Sequence, residues 1–408
     1  MMKQIEGGVT AAKGFEAAGV NAEIKYKNRN DMALIYSEKP CVAAGVFTTN
    51  VVKAAPVLWD RYLIDNFDDM HAVVINAGIA NACTGEEGMS YCKKTSEAAS
   101  KILNVDANSV AVASTGVIGM QLPIDRIING ISLLKEAKGD SMEHGHVAAQ
   151  SIMTTDTKPK EIAFQFEVGG KIATIGGMCK GSGMIHPNMC TMLCFITSDV
   201  AISKALLAEA LSNDVIDTFN MVSVDGDTST NDTVLVLANG EAGNTKIEDK
   251  GTDYDAFCKA LHAVMEGISK MIAGDGEGCT CLFECKVVHA NTKENARTLA
   301  KSVITSNLTK AAIFGHDANW GRILCALGYS GVNFDPNKVD IFFESKAGKL
   351  KIVENGVSTG YSEEKATEIL SQDYVTALCD INDGEEEATA WGCDLTYEYV
   401  KINGDYRS

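Results

Sequence analysis

The chain has little proline, little basic charge and no long apolar run. Six prolines in 408 residues, with no Ser/Gly-rich or low-complexity stretch, leave no compositional mark of a linker. Its 36 Lys and Arg residues face 54 Asp and Glu, for a net charge of −18. Nucleic acid and anionic membrane surfaces need clustered cations, so neither is an expected partner. No stretch reaches the roughly 18 apolar residues of a membrane span. Met1-Met-Lys-Gln-Ile-Glu-Gly-Gly-Val9 lacks the apolar core of a signal peptide, so a cytoplasmic location is the expectation. A Walker A motif and a Gly-x-Ser-x-Gly elbow are also missing, and Gly181-Ser-Gly183 lacks the third glycine of a dinucleotide fingerprint.

Cysteine is plentiful, with 13 residues, but no Cys-x-x-Cys pair occurs. The spacing therefore gives no zinc site, and no metal is expected. Positions 279, 281, 283, 285 and 287 read Cys, Cys, Phe, Cys and Val. At strand period they share one face, and free cysteine behaves there as a small hydrophobe. The pattern fits reduced thiols in a core. Val224-Asp-Gly-Asp-Thr-Ser-Thr-Asn-Asp232 imitates a calcium loop, but Thr230 replaces its glycine and Val236 its final glutamate.

What the chain has is apolar residues, 46%, against 22% charged, enough for two large lobes. Ala72–Asn76, Val110–Ser114 and Thr233–Ala238 read as buried strands. Asp125–Ala137, Asp255–Ile272 and Glu294–Leu308 read as amphipathic helices, the last with Leu299, Val303 and Leu308 along its apolar side. Strands and helices do not alternate strictly, so the expected fold class is α/β, a layered sandwich of mixed or antiparallel sheets and helices. A Rossmann sheet fits less well.

Four segments carry chemistry. Lys180-Gly-Ser-Gly-Met-Ile-His-Pro-Asn-Met-Cys-Thr-Met-Leu-Cys-Phe-Ile-Thr197 turns through glycines into an apolar run. Its Thr191 has two readings. It is a β-branched residue opening a strand, or a nucleophile that breaks the bond after Cys190 and then owns an α-amine as base. Val110–Ser114 runs into Thr115-Gly116-Val-Ile-Gly119, which suits an oxyanion site or an ordinary strand-to-helix connection. Met153-Thr-Thr-Asp-Thr-Lys-Pro-Lys160 packs hydroxyls and charges densely, as a binding loop or a solvated turn would. Asp275-Gly-Glu277-Gly278 sets a carboxylate between two glycines, able to cap a turn or to meet a substrate ammonium. His186 reads as a structural or solvent-facing loop histidine.

Taken in order, these blocks resemble the ornithine acetyltransferases (glutamate N-acetyltransferases) of arginine biosynthesis. The resemblance also rests on Gly7-Gly-Val-Thr-Ala-Ala-Lys-Gly14, Asn76-Ala-Gly-Ile-Ala-Asn-Ala-Cys-Thr-Gly85, Phe314-Gly-His-Asp-Ala-Asn-Trp-Gly-Arg322 and Ile402-Asn-Gly-Asp-Tyr-Arg-Ser408. It implies a self-cleaving enzyme with Thr191 as nucleophile, cut at Cys190–Thr191. Residues 1–190 would form an α chain with the oxyanion site and the Lys180 loop. Residues 191–408 would form a β chain with the nucleophile, substrate site and C-terminal tail. The resemblance further implies Thr115 and Gly116 at the oxyanion. Thr154, Lys180, Thr191, Glu277, Asn403 and Ser408 would contact substrate. N-acetyl-L-ornithine would be the donor and L-glutamate the acceptor, with no cofactor, acetyl-CoA being a second donor left open. Two α and two β chains would associate as a heterotetramer. Cys190 stands where the family commonly has alanine, Ile79 where it has asparagine, Ala318 for proline and Cys281 for lysine. A self-cleaving threonine aminopeptidase or amidase, with water as acceptor, is the alternative reading.

Overall fold

A computed structural model describes residues 2–186 and 192–405. Cys190, Thr191 and Ser408 lie outside the described residues. Fully buried runs of β-branched and apolar side chains build the centre of a nine-stranded mixed sheet. Leu193–Ser198 and Thr233–Ala238 are buried at every position and lie parallel to each other. Burial on both faces explains why they read as continuous apolar stretches rather than as alternating ones. Lys171–Lys180 flanks this pair on one side, antiparallel to Leu193–Ser198. On the other side lies the long strand Met32–Phe47. Its second half pairs with Thr233–Ala238, and its first half with Met70–Asn76 and Phe15–Val20. The register shifts between Tyr36 and Cys41, so one strand serves two neighbours in succession. Val110–Ser114 closes that end of the sheet, parallel to Met70–Asn76.

The second sheet has six strands, with Leu282–Ala290 between Tyr374–Asp380 and Glu386–Cys393. Its strands alternate in burial, as a sheet with one covered face requires. Phe283, Cys285 and Val287 point inwards and are fully buried, with Cys281 nearly so; Cys279 is half-buried on the preceding turn. The cysteine face expected from period-two spacing is therefore present from 281 onwards. Helix Thr252–Ala273 and helix Lys293–Thr305 share one core with both sheets. Phe257, Leu261, Val264, Met265 and Ile268, which helical spacing puts on one face, have no exposure. Each such side chain contributes about 1.5–3 kcal/mol by leaving water.

One helix differs from its expected form. Glu294–Leu308 is two helices, Lys293–Thr305 and Asn307–Phe314. Ser306 is extended between them, and its hydroxyl accepts from the Thr309 N–H, capping the second helix. Leu308 consequently leaves the apolar side and is 63% exposed. Among the described residues no helix is long and apolar enough to cross a membrane. The division at 190–191 is no spatial boundary, because strands 193–198 and 233–238 sit inside the sheet built by the first segment.

Candidate active site

The parallel strands Met70–Asn76 and Val110–Ser114 end side by side, Asn76 opposite Ser114. Beyond that edge the two chains remain joined. Thr115 N–H donates to the Asn76 carbonyl at 3.0 Å, and Val117 N–H to the Gly78 carbonyl at 3.2 Å. Gly116 lies between them with φ +124°, and a Cβ there would overlap the Gly78 backbone. Only glycine fits that position. The Gly116 N–H and the Thr115 hydroxyl have no hydrogen-bond partner among the described residues. Adjacent donors left unused at a strand end are what an oxyanion site requires.

Thr115 shares a pocket with Lys180, Gly183, Met192, Asn231 and Asp232. Ser114 anchors its wall: the Ser114 hydroxyl accepts from Asn81 N–H at 2.8 Å and lies 3.4 Å from Asn231 Oδ1. Lys180 ends its strand opposite Leu193. Met192, the residue that follows Thr191 in the sequence, is part of this wall.

A buried ion triad ties the remaining loops together. Lys160, 1% exposed, places Nζ 2.7 Å from Asp156 Oδ1 and 2.6 Å from Asp275 Oδ2. Asp156 also accepts from Thr154 N–H at 3.1 Å and Gly181 N–H at 2.7 Å. Asp275 accepts from the Thr157 N–H and hydroxyl, and its carbonyl accepts from Ser182 Oγ at 2.7 Å. Burial would raise the Asp156 carboxyl. The charges of Lys180 and Lys160 and two hydrogen bonds outweigh it and hold the carboxyl at about 2. Burial pulls the Lys160 ammonium down, but its two carboxylates outweigh that and raise its pKa.

Glu277 follows from this frame. Its N–H donates to the Ser182 carbonyl at 3.1 Å, and its side chain is buried. Asn403, on the C-terminal helix Tyr397–Asp405, donates through Nδ2 to Glu277 Oε2 at 2.8 Å. That helix rests on Gly278, whose φ of +68° brings its backbone under Glu398 and Tyr399. The tail thus does reach the acidic loop. His186 is half-buried, with Nδ1 3.0 Å from Ser223 Oγ. Burial, and then Lys301, push its imidazole down to about 4.

Of the residues expected at the site, Thr115 and Lys180 line one pocket, and Gly116 follows Thr115 in the chain. Thr154 and Glu277 belong to the loops that the Lys160 triad holds, and Asn403 joins Glu277. The expected roles of Thr191, Cys190 and Ser408 concern positions outside the described residues. Sequence reasoning missed Asp156, Lys160, Asp275 and Asp232. The first two stand four apart in the hydroxyl-rich block, and Asp275 opens the Gly-Glu-Gly block. Asp232 closes the segment that imitates a calcium loop; Asp225 there accepts from the Met184 and Ile185 N–H groups at 2.6 and 2.8 Å.

The ArgJ family profile matches residues 16–408. The arginine biosynthesis bifunctional protein ArgJ 1 of Clostridium acetobutylicum is 52% identical over 404 residues, covering 98% of this chain and 97% of its own. The ArgJ protein of Symbiobacterium thermophilum is 51% identical over 409 residues, covering 100% of both. Among solved structures, arginine biosynthesis bifunctional protein ArgJ from Bacillus halodurans superposes with a TM-score of 0.51 at 44% identity. That match spans 53% of this chain and 100% of the solved one.

Proposed function

The chain belongs to the ArgJ family, acetyltransferases of arginine biosynthesis, and we propose that it carries acetyl from N-acetyl-L-ornithine to L-glutamate on Thr191. The observation that carries this reading is the pair of unused donors, Thr115 Oγ1 and Gly116 N–H, beside the pocket wall that contains Met192. Before transfer, the Thr191 hydroxyl attacks the Cys190 carbonyl and the chain is cut there into α and β pieces.

In the cut enzyme the Thr191 α-amine takes the hydroxyl proton as the oxygen attacks the acetyl carbonyl. Thr115 and Gly116 stabilise the oxyanion, each good donor contributing about 3–4 kcal/mol. The ornithine amine leaves with a proton, and the acetyl group remains on Thr191. The glutamate amine then attacks the ester, the α-amine acts as base again, and N-acetyl-L-glutamate departs. Glu277, oriented by Asn403, meets a substrate ammonium, and Lys180 meets a carboxylate. Thr154 and Ser408 complete the substrate contacts. One amide replaces another, so the chemistry asks for no ATP, metal or bound cofactor. Acetyl-CoA entering as donor would load the same threonine. Two α and two β pieces would assemble in the cytoplasm.

Intact-mass analysis of the purified chain tests this reading. Two species meeting at 190–191, and one uncut species for Thr191→Ala, are the expected result. An uncut wild-type chain that still transfers acetyl would overturn the nucleophile. Acetate release that needs no glutamate would make the enzyme an amidase instead.

A further inference from the structure

Two thiols touch beside the acidic loop. Cys279 lies on the turn between Glu277 and strand Leu282–Ala290 and is half-buried. Cys393 ends the neighbouring strand Glu386–Cys393, opposite Leu282, and is buried. The Cys279 thiol donates a hydrogen bond to the Cys393 sulfur. The backbone places them together independently of that bond. Cys279 N–H closes the turn on the Gly276 carbonyl at 2.9 Å, and a Cβ on Gly276 would lie 2.8 Å from Cys393 Sγ. Glu277 is thus carried by a turn that rests on that sulfur.

A buried lysine completes the cluster. Lys310 brings Nζ to 3.6 Å from Cys393 Sγ and also donates to the Cys393 carbonyl. The bond from Cys279, and then the Lys310 charge, hold the Cys393 thiol at about 7, although burial and Asp394 push it up. A cation beside one sulfur, and a second sulfur with a path to solvent, are the surroundings of a reactive pair. Cys285 and Cys379 are also hydrogen-bonded in this sheet, but neither has any exposure through which an oxidant could enter.

We propose that Cys279 and Cys393 are an oxidative modification site, joined as a disulfide by hydrogen peroxide, whose closure withdraws Glu277 from substrate. The effect on substrate rests on the function proposed above; the disulfide itself does not. The Cys279 sulfur bonds to one peroxide oxygen as its proton passes to the Cys393 thiolate and hydroxide departs. The Cys393 sulfur then displaces the hydroxyl from Cys279, and the same proton leaves with it as water. The two sulfurs lose two electrons and the peroxide oxygens gain them. An S–S bond is about 2.05 Å long, far shorter than hydrogen-bond contact. Cys393 is held inside the sheet, so it is the turn that moves, and the 3.5 Å contact of Cys279 Sγ with the Gly274 carbonyl is lost. A shift of about 1 Å in a substrate-positioning group is enough to weaken its hold markedly.

Peroxide titration of the purified enzyme tests it, with wild type, Cys279→Ser and Cys285→Ala followed by non-reducing peptide mass mapping and by initial rates. The expected result is a Cys279–Cys393 cross-link in the wild type and in Cys285→Ala, and none in Cys279→Ser. As the link forms, KM for N-acetyl-L-ornithine should rise about tenfold with kcat little changed, and dithiothreitol should restore it. The KM of Cys279→Ser should not respond to peroxide. Should the serine chain fail to fold, fragmentation of the wild-type peptide between Cys279 and Cys281 assigns the bonded sulfur directly. No cross-link, a link that maps to another cysteine, or a link that leaves KM unmoved overturns the inference. A link that forms in a chain unable to transfer acetyl from N-acetyl-L-ornithine overturns the proposed function and leaves the modification site standing.

Discussion

Replacing Lys160 by methionine tests the frame on which the site is hung. The side chain is buried, and its Nζ lies 2.7 Å from Asp156 and 2.6 Å from Asp275. Methionine fills a similar volume but leaves two buried carboxylates without their shared cation. Breaking a buried ion pair from one side costs about 3–5 kcal/mol. The Asp156 carboxyl gives a second route to the magnitude. It sits at about 2 rather than 3.8, although burial pushes the other way, because Lys180 and Lys160 stand beside it. That difference is worth about 2–3 kcal/mol, shared between the two lysines. A loss of about 3 kcal/mol is therefore expected, read as a lower urea midpoint by tryptophan fluorescence. The loops bearing Thr154, Gly181 and Glu277 lose their common anchor, so KM for N-acetyl-L-ornithine should rise about tenfold. Converting both acids as well, in Asp156→Asn/Lys160→Met/Asp275→Asn, removes the stranded charges and should return much of the stability but not the KM. The reasoning fails if the single variant loses less than about 1 kcal/mol, or if the triple variant is no more stable than the single one.

Gly116→Ala should lower kcat about 100- to 1,000-fold with little change in KM, because a Cβ at φ +124° drives the oxyanion donor away from the Gly78 backbone. Initial-rate kinetics check it, and an unchanged kcat removes Gly116 from the oxyanion site. Gly183→Ala sets a Cβ against the Glu277 carboxylate and should raise KM for an ammonium-bearing substrate about tenfold. Asn403→Ala, which removes the 2.8 Å contact to Glu277 and a 3.1 Å one to the Tyr399 carbonyl, should raise it less. Asp156 also fixes an acid limit. Its folded pKa of about 2 lies below the ordinary 3.8, so its contribution is whole above about pH 4 and is lost as pH falls towards 2. Urea midpoints at pH 5, 3 and 2 should fall in that window, and more steeply in the wild type than in Asp156→Asn.

The parts of the fold that were legible in the sequence are those decided by local pattern. Val110–Ser114 and Thr233–Ala238 have the bounds that their apolar runs suggest, and the buried face of Thr252–Ala273 follows helical spacing. The break at Ser306 was hidden, because a capping serine inside a periodic run looks like one more polar position until the chain turns. At the site, Thr115, Gly116, Lys180 and Glu277 stood in recognisable blocks. Their organiser did not. Lys160 meets Asp275 across 115 residues of chain, and no spacing rule encodes that encounter. Asp232 was obscured differently, since its burial in the pocket wall is a property of the assembled fold.

The position of strand Leu193–Ser198 inside the large sheet constrains the order of events in the life of the protein. Its register with Lys171–Lys180, from Ile175 opposite Ser198 to Lys180 opposite Leu193, crosses the 190–191 junction. Its other edge is held by Thr233–Ala238. A single chain supplies the two sides of that ladder at the high effective concentration of a tether. If the tether is cut as proposed, the pieces would remain interleaved, and separating them would mean tearing a sheet open in its middle. Such a product would be held by the barrier to unfolding rather than by any linkage. After full unfolding, the cut protein would have to find by collision a pairing that it first made for itself, so the cut would make its folding a one-way passage.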